Sequence, residues 1–303
     1  MHRHSNIKAW AALGAVCLFW GTTYLGIRMS LESFPPLTLV AIRFSVSGLI
    51  LLAAARLRGA KMPRGRDLRI AAFTGILALG GGTGGLVIAE QWVPSGLAAL
   101  LITVSPFWMV GIEAAMPGGE RLHRPVVLGM LVGGAGVALL ALPGAAVGSL
   151  GPMAIHGLII LQVSNALWSY ASIYQRRQPV RAHPIVTGAV QQLAAGLSYV
   201  VPAIIFEGAG LAAGSGLHPT ARGMGAIIWL IIFGSIVGYS AYMYALTHLP
   251  VAVVSTYAYV NPVVAVTLGW LVYRERFGWL EAAAMAIIFA GVMIVKRHSP
   301  EKR

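Results

Sequence analysis

One arginine lies well inside an apolar segment of this chain. Arg43 comes about seven residues after the start of an apolar run. At a helical rise of 1.5 Å per residue it lies roughly 10 Å from that start. A charge at that depth is costly, so the side chain is expected to face the interior of a bundle or a water-filled cavity. Two interpretations stay open. Arg43 is a gate or a clamp for a carboxylate-bearing molecule, or it makes structural bonds or snorkels to the surface.

Two carboxylates accompany Arg43. Glu90 ends the third apolar run, and Glu113 lies near the end of the fourth. Glu90 is interpreted either as a gate residue that pairs with Arg43 or as a carboxylate that exchanges protons, since burial shifts the range in which such a group titrates. Glu113 is expected to reach water. The two acids belong at opposite ends of the bundle, so they do not form the paired acids that an enzyme within the membrane needs.

Aromatic, hydroxyl and amide side chains inside the apolar runs form a second set of candidate positions. These are Trp20, Tyr24, Thr83, Trp168, Gln191, Tyr239, Tyr257 and Asn261. Aromatic walls suit flat or amphipathic organic molecules and weak cation–π contacts, whereas ordinary helix packing is the alternative for each ring. For Trp20 and Trp168 we expect the side walls of one central cavity.

Two prolines lie in the middle of apolar runs. Pro106 and Pro262 each remove a backbone donor and are expected to kink their helix. Ser105 and Asn261 precede them, and their side chains can bond the freed carbonyl groups or a bound molecule. Two kinked helices at matching depth are the best pointer in the sequence to a binding site near the middle of the bundle.

These residues need elements that can hold polar groups inside a very apolar medium. Apolar residues make up 57% of the 303 residues and charged residues 10%, and the mean hydropathy is +0.77, far from a soluble domain. We predict an all-α polytopic membrane protein, because lipid offers no partner for free backbone groups and the segments lack the alternation of a membrane barrel. The ten predicted transmembrane helices are 9–28, 36–55, 69–89, 95–116, 125–142, 152–174, 183–205, 223–246, 251–272 and 278–295.

The charges of the loops predict how these helices are oriented. If the N-terminus is cytoplasmic, most of the lysines and arginines fall in cytoplasmic stretches. The outer stretches then hold Arg28, Arg222, Arg274 and Arg276. This bias places both termini in the cytoplasm of a bacterial inner membrane. The net charge of +13 therefore reflects the cytoplasmic loops and not a nucleic-acid partner, since no RNA-binding pattern of aromatic or glycine residues accompanies it.

The sequence contains an internal repeat of two halves. Trp20 and Trp168 occupy the same place in the two halves, as do Pro106 and Pro262. Because each half holds an odd number of spans, the second half is predicted to enter the membrane inverted, as two inverted five-helix repeats. The predicted divisions are a first repeat at 1–145, a second at 150–298 and a cytoplasmic tail at 299–303. Where the copies differ, as at Arg43 against Gln191 and Ser105 against Asn261, an asymmetric substrate is expected to be read.

Several stretches resemble one family. They are Trp20-Gly-Thr-Thr-Tyr-Leu-Gly-Ile-Arg28, Ala89-Glu-Gln-Trp-Val-Pro-Ser-Gly-Leu-Ala-Ala99 and Ser255-Thr-Tyr-Ala-Tyr-Val-Asn-Pro-Val-Val-Ala-Val266. The chain resembles the EamA-type members of the drug/metabolite transporter superfamily, and among them the YedA-like exporters. One stretch departs from the pattern: Gly82-Thr83-Gly84 stands where a Gly-Asn-Gly is common in similar proteins.

The resemblance implies a secondary active transporter that exports a small organic metabolite, amino acid or drug by alternating access. Uptake or exchange of an anionic metabolite stays open, as does a passive channel or scaffold. An enzyme is not expected, because no paired acids, Ser/His set or metal ligands occur at matching depth in the sequence. No metal site is expected, because no Cys/His cluster occurs, and no cofactor is expected either. The missing Walker A pattern argues against ATP-driven transport by this chain alone. The expected partners are a small-molecule substrate and the lipid bilayer, and coupling to protons and the choice between monomer and homodimer stay open.

Overall fold

The architecture is helical in the part of the chain that the structure describes. This computed structural model describes residues 2–119, 122–140, 152–214, 216–249, 254, 257–275 and 278–298. The proposed boundary at 145–150 and the tail at 299–303 lie outside these residues. The helical stretches are α1 His2–Leu31, α2 Pro36–Leu57, α3 Gly65–Ala89, α4 Ser95–Ala115, α5 Arg124–Leu140, α6 Pro152–Arg177, α7 Pro184–Ala212, α8 Ala221–His248, α9 Tyr257–Tyr273 and α10 Trp279–His298.

The helices have the lengths and compositions that membrane crossing requires. Six of the described helices, α1 to α4, α7 and α8, contain long apolar stretches, and α5, α9 and α10 are shorter apolar helices. A span of about 20 apolar residues matches the thickness of a bilayer. The prediction of an all-α polytopic membrane protein is therefore confirmed.

The packing pairs repeat between the two halves of the chain. The helix α1 packs against α8 and α9, and α6 packs in the same way against α3 and α4. The pairs α2 with α7 and α5 with α10 join helices at the same place in each half. Exchanging the halves maps each of these pairs onto another observed pair or onto itself. The inverted orientation of the second half stays a prediction.

Both α3 and α8 widen in the middle into a π-helical segment. The segments are Ile76–Gly84 in α3 and Leu230–Val237 in α8. In a π-helix the hydrogen bonds run over five residues, so the turn is wide, and such segments are frequent at functional sites. No pattern in the sequence indicates these wide turns.

The helix α4 is interrupted where a kink was predicted. It consists of Ser95–Ile102 and Ser105–Ala115, and Pro106 lies in the first turn of the second segment. The Ser105 hydroxyl donates to the carbonyl of Ile102 at 2.6 Å, which is the carbonyl that the missing N–H of Pro106 frees. Pro262 instead lies inside the continuous helix α9.

The helix α7 continues beyond its predicted end at 205. Glu207, which looks like a loop residue in the sequence, is held by the first turn of α2. Its carboxylate accepts from the N–H groups of Leu37 and Thr38 at 2.8 Å each and from the Thr38 hydroxyl at 2.7 Å. The first N–H groups of a helix have no partner within the helix, so a carboxylate there is well placed.

A glycine seam joins α5 and α10 within one chain. A methyl group added at Gly291 would lie 2.5 Å from the nitrogen of Gly133 and 2.6 Å from the carbonyl oxygen of Gly129. One added at Gly136 would lie 2.8 Å from Ile288. Side chains as small as hydrogen let the two helices approach this closely.

We expect Gly291→Val to destabilise the folded protein by about 1–3 kcal/mol, since the added atoms overpack the seam. Gly134→Val is the control, because nothing lies within 4 Å of a methyl group at that position. Thermal unfolding of both variants in detergent checks the prediction. Equal melting temperatures of the two variants would contradict it.

Candidate functional site

The π-helical segment of α8 collects polar side chains from three helices. The Trp20 indole N–H donates to the carbonyl of Gly234 at 3.0 Å. The Gln192 amide donates to the carbonyl of Ser235 at 3.2 Å, and Arg43 Nε donates to the Ser235 hydroxyl at 3.0 Å. The irregular bonding of this segment leaves carbonyl oxygens for side chains from α1 and α7. Gly234 and Ser235 are thus the centre around which the candidate site is built.

Arg43 is buried but only partly bonded. It is 4% exposed, and its Nη1 has no hydrogen-bond partner among the described residues. Its Cζ lies 5.0 Å from the centre of the Phe44 ring, and its Nη2 lies against Gly234. Among the described residues no carboxylate oxygen lies within 4.0 Å of this guanidinium. A buried cation with a free donor is unusual in a merely structural role, because leaving a donor unsatisfied is costly.

Glu90 is more deeply buried than its place at the end of a span predicts. It is 0% exposed, and within the part of the chain that the structure describes neither carboxylate oxygen has a hydrogen-bond partner. Its backbone carbonyl accepts from Arg28 Nη1 at 2.9 Å, and the charges of Glu275, Arg28 and Arg43 act on its carboxyl group. Arg43 and Glu90 are therefore within electrostatic reach, but they do not form the salt bridge that was one of the two interpretations.

Aromatic rings line the neighbouring part of α1, α8 and α9. The Trp20 ring lies 5.0 Å from Tyr242 and 5.1 Å from Tyr257, measured between ring centres. Tyr239 extends the row at 6.4 Å from Tyr242, and Tyr24 is buried one turn beyond Trp20. Rings at these distances form a packed aromatic cluster. Tyr242 was not among the predicted residues of the site.

Trp168 lies away from this cluster. Its side chain packs over Gly82 of α3, and Trp20 packs over Gly238 of α8. Each tryptophan therefore covers a glycine in the third helix of the opposite half. Thr83, beside Gly82, is half-buried, and no hydrogen bond between described residues involves its hydroxyl. The structure places Trp20 and Trp168 in two equivalent packing sites and shows no ring contact between them among the described residues.

The two amides among the predicted residues are fully engaged. Gln191 donates to Thr74 at 3.1 Å and to Gln175 at 2.8 Å, and accepts from the Tyr239 hydroxyl at 2.5 Å. Asn261, in the amide orientation that satisfies its surroundings, donates to the carbonyls of Cys17 and Tyr257 at 3.0 and 3.1 Å. These amides cross-link helices at the edge of the site.

Sequence reasoning missed several buried polar residues. Gln192 accepts from the Ser47 hydroxyl and so ties α2 to α7 beside Arg43. Asn165 in α6 shares the Ser105 hydroxyl proton with the Ile102 carbonyl, its Oδ1 lying 2.7 Å from Ser105 Oγ, and its amide donates to the carbonyl of Leu101 at 3.0 Å, across the break in α4. The signal that could have identified them is a polar residue inside an apolar run. Comparison of the two halves did not select these positions.

Glu113 has the role expected of a residue that reaches water. It forms salt bridges with Arg176 at 2.5 Å and Arg177 at 2.8 Å. Both arginines lie in the last turn of α6, where positive charge is favourable. Glu113 thus joins the ends of α4 and α6.

The family model for EamA-like transporters matches this chain twice, over residues 8–142 and 155–297. This chain belongs to the EamA-like transporter family. It is 35% identical to the uncharacterized inner membrane transporter YedA of Escherichia coli (strain K12), over 95% of this chain and 90% of that protein. The match to relatives named as inner membrane transporters confirms the predicted family and supports a multi-pass inner membrane protein.

More distant relatives of this EamA-like protein extend the comparison. It is 26% identical to a probable terminal-alkyne amino-acid exporter of Streptantibioticus cattleyicolor, over 98% of this chain and 96% of that protein. A solved crystal structure with 23% sequence identity superimposes with a TM-score of 0.64 and covers 98% of this chain and 99% of its own. At that identity the likeness concerns the fold alone.

Proposed function

We propose that this protein is a secondary active exporter that moves a small amino acid or amino-acid analogue out across the inner membrane by alternating access, in exchange for protons. The observation that carries the proposal is the pair of buried, incompletely bonded ionisable groups, Arg43 and Glu90. Their charges are opposite in sign when both are ionised, and no guanidinium nitrogen of Arg43 lies within 4.0 Å of a carboxylate oxygen of Glu90. In this proposal a small zwitterion binds between the two groups.

The chemistry of a zwitterion fits both groups. The free Nη1 of Arg43 can donate to a carboxylate, with charge-assisted hydrogen bonds that are about twice as strong as neutral ones. The Glu90 carboxylate can accept from an ammonium group. The aromatic cluster of Trp20, Tyr242 and Tyr257 supplies an apolar wall for the side chain of the solute. The name of the amino-acid exporter among the relatives supports the same class of solute.

Glu90 supplies the coupling in this proposal. A buried carboxylate without a partner is stable only when it binds a proton, because an isolated charge in an apolar interior is strongly unfavourable. An arriving ammonium group replaces the proton as its partner. Proton and solute therefore compete for Glu90, which is the requirement for exchange of one for the other.

The π-helical segment of α8 supplies a means of alternation. A stretch that switches between hydrogen bonds over four and five residues has two discrete arrangements, and such elements carry conformational change. Gly234 and Ser235 lie in this segment and hold Trp20 and Arg43 through their carbonyl and hydroxyl oxygens. A switch would move both sides of the site together, with both termini remaining in the cytoplasm as the loop charges predict.

Counterflow in proteoliposomes tests the proposal. Vesicles loaded with one unlabelled amino acid are diluted into a trace of the labelled compound, and a panel of amino acids is screened in this way. Transient accumulation that saturates with concentration is the expected result for at least one member of the panel. A channel gives no transient accumulation, and a scaffold gives no movement at all, so either outcome contradicts an exporter of this class.

We expect Trp20→Ala to raise the half-saturating concentration of counterflow by roughly tenfold, since one side of the aromatic wall and the bond to Gly234 are lost. Trp279→Ala is the matched control, because Trp279 is 92% exposed and lies outside the cluster. Thermal unfolding of both variants checks that Trp20→Ala is folded. Equal half-saturation of the two variants would remove Trp20 from the site.

A further inference from the structure

A second carboxylate, Glu275, ties α9 to the first turn of α4. Its Oε1 accepts from the backbone N–H of Ser95 at 3.0 Å and from the Ser95 hydroxyl at 2.9 Å. Its Oε2 accepts from the N–H of Gly96 at 3.0 Å. Three charge-assisted hydrogen bonds at a helix N-terminus form a strong connection, because the free N–H groups and the helix dipole both favour a negative charge.

An unusual turn places Glu275 there. Arg274, which precedes it, has φ 54°, in the left-handed region that residues other than glycine seldom adopt. The N–H of Arg274 bonds to the carbonyl of Trp270 at 3.1 Å, and the N–H of Glu275 bonds to that of Gly269 at 3.2 Å. This arrangement ends α9 with a left-handed cap. Backbone of this kind persists where surrounding contacts enforce it, and here it turns Glu275 back towards α4.

The two helices also approach closely beside Glu275. A methyl group added at Gly96 would lie 3.1 Å from the Cα of Val266, and one added at Gly269 would lie 2.8 Å from the carboxylate carbon of Glu275. The carboxylate thus occupies space that any larger residue at 269 would take. The helices α4 and α9 are therefore closely packed at this contact.

The contact of α4 with α9 lies where several helices meet. The first segment of α4 packs against α9 and also against α1, and the second segment of α4 packs against α6. The bond of Arg28 to the carbonyl of Glu90 lies at the same end of the bundle and joins α1 to the end of α3. By the loop charges this end faces away from the cytoplasm.

We infer that Glu275 is the latch of the outer gate. Its hydrogen bonds to Ser95 and Gly96 hold α9 and α4 together at the outer end, where Glu90 also lies and farther out than Arg43. Release of solute to the outside requires these bonds to break. The inference rests on the proposed alternating access, and it adds a residue whose role is to set how often the outer side opens.

The chain supplies a matched control in Glu207. Its carboxylate also accepts from two backbone N–H groups and one hydroxyl at the start of a helix, namely Leu37, Thr38 and the Thr38 hydroxyl of α2. It connects α7 to α2 and not α9 to α4. Glu207→Gln therefore removes the same chemistry from the same end of the bundle without touching the proposed latch.

The test measures access from outside to a reporter inside the gate. Thr23 is 8% exposed and lies against Gly234 beside Arg43. Thr23→Cys in a Cys17→Ser background gives a protein with a single cysteine, since Cys17 is the one cysteine of the sequence. Intact cells are treated with a membrane-impermeant maleimide. We expect Glu275→Gln to raise the rate of labelling by roughly tenfold, because the charge that strengthens all three bonds is lost, and Glu207→Gln to leave it unchanged.

Milder variants keep the inference testable if Glu275→Gln does not fold. Ser95→Ala removes one of the three bonds, and Gly269→Ala displaces the carboxylate; both are expected to raise labelling in the same direction. Unchanged labelling in the folded variants, or an equal rise in Glu207→Gln, would overturn the latch. Counterflow by the same proteins separates the two proposals. If the wild type shows counterflow but Glu275→Gln is labelled at the unsubstituted rate, the latch alone is refuted. If the wild type shows no counterflow, the exporter is refuted.

Discussion

Glu90→Gln is expected to abolish accumulation driven by a pH gradient while exchange of the solute continues. In vesicles that are acidic inside by two pH units, with the membrane potential clamped, one-for-one exchange drives about 100-fold accumulation, since each tenfold corresponds to 1.4 kcal/mol. A glutamine side chain cannot release a proton, so the variant is expected to reach only the outside concentration. Counterflow needs no proton and should persist, at a half-saturating concentration raised roughly tenfold by the loss of the charge.

Glu113→Gln is the control for this result. Glu113 lies in the predicted span 95–116, and it pairs with Arg176 and Arg177 at the end of α4. Its variant should keep the accumulation driven by the pH gradient. If Glu90→Gln accumulates solute as the wild type does, or if both variants lose accumulation equally, the assignment of coupling to Glu90 is wrong.

Arg43→Ala is expected to raise the half-saturating concentration of counterflow on the order of 100-fold. The variant loses the charge-assisted bonds to the carboxylate of the solute, and such bonds contribute about 1.5–3 kcal/mol. Arg43→Lys keeps the charge but not the planar fork, so an intermediate loss of about tenfold is expected. Radiotracer counterflow across a range of concentrations measures both values.

Two comparisons separate binding from folding in the Arg43 series. Arg58→Ala removes an exposed arginine after α2 and should leave counterflow unchanged. Amides of the transported amino acid lack the carboxylate. In competition measurements they should therefore bind the wild type weakly and bind Arg43→Ala with the same weak affinity. An alanine variant that still prefers the carboxylate-bearing solute by the wild-type margin would exclude Arg43 from substrate recognition.

The sequence predicted the helical frame because membrane helices obey a simple rule. Apolar runs of about 20 residues leave few alternatives for a chain in lipid, and each predicted span corresponds to a described helix. The burial of Arg43 was predictable for the same reason, since its depth leaves only the interior of the bundle. The end of α7 was missed because Glu207 reads as a loop residue until the first turn of α2 is seen to bind it.

The site was less predictable because its contacts are tertiary. Gln191 and Gln192 are neighbours in the sequence, yet Gln191 bonds towards α3 and α6 and Gln192 bonds towards α8. No periodic pattern of polar residues predicts that α7 makes polar contacts on two faces. The complete burial of Glu90 likewise depends on Arg28 and the ends of neighbouring helices, and not on its distance from the end of a span.

The exchange of a proton for a zwitterion at Glu90 is the central claim, and proton release on binding tests it most directly. Purified protein in weakly buffered detergent solution is mixed with the solute identified by counterflow, and a pH indicator records the protons released. Because binding of the ammonium group and of the proton are linked at one site, the account predicts about one proton released per solute bound by the wild type. It predicts none from Glu90→Gln, and none on addition of the N-acetylated solute. Saturable binding of the solute to the wild type without proton release would contradict the account.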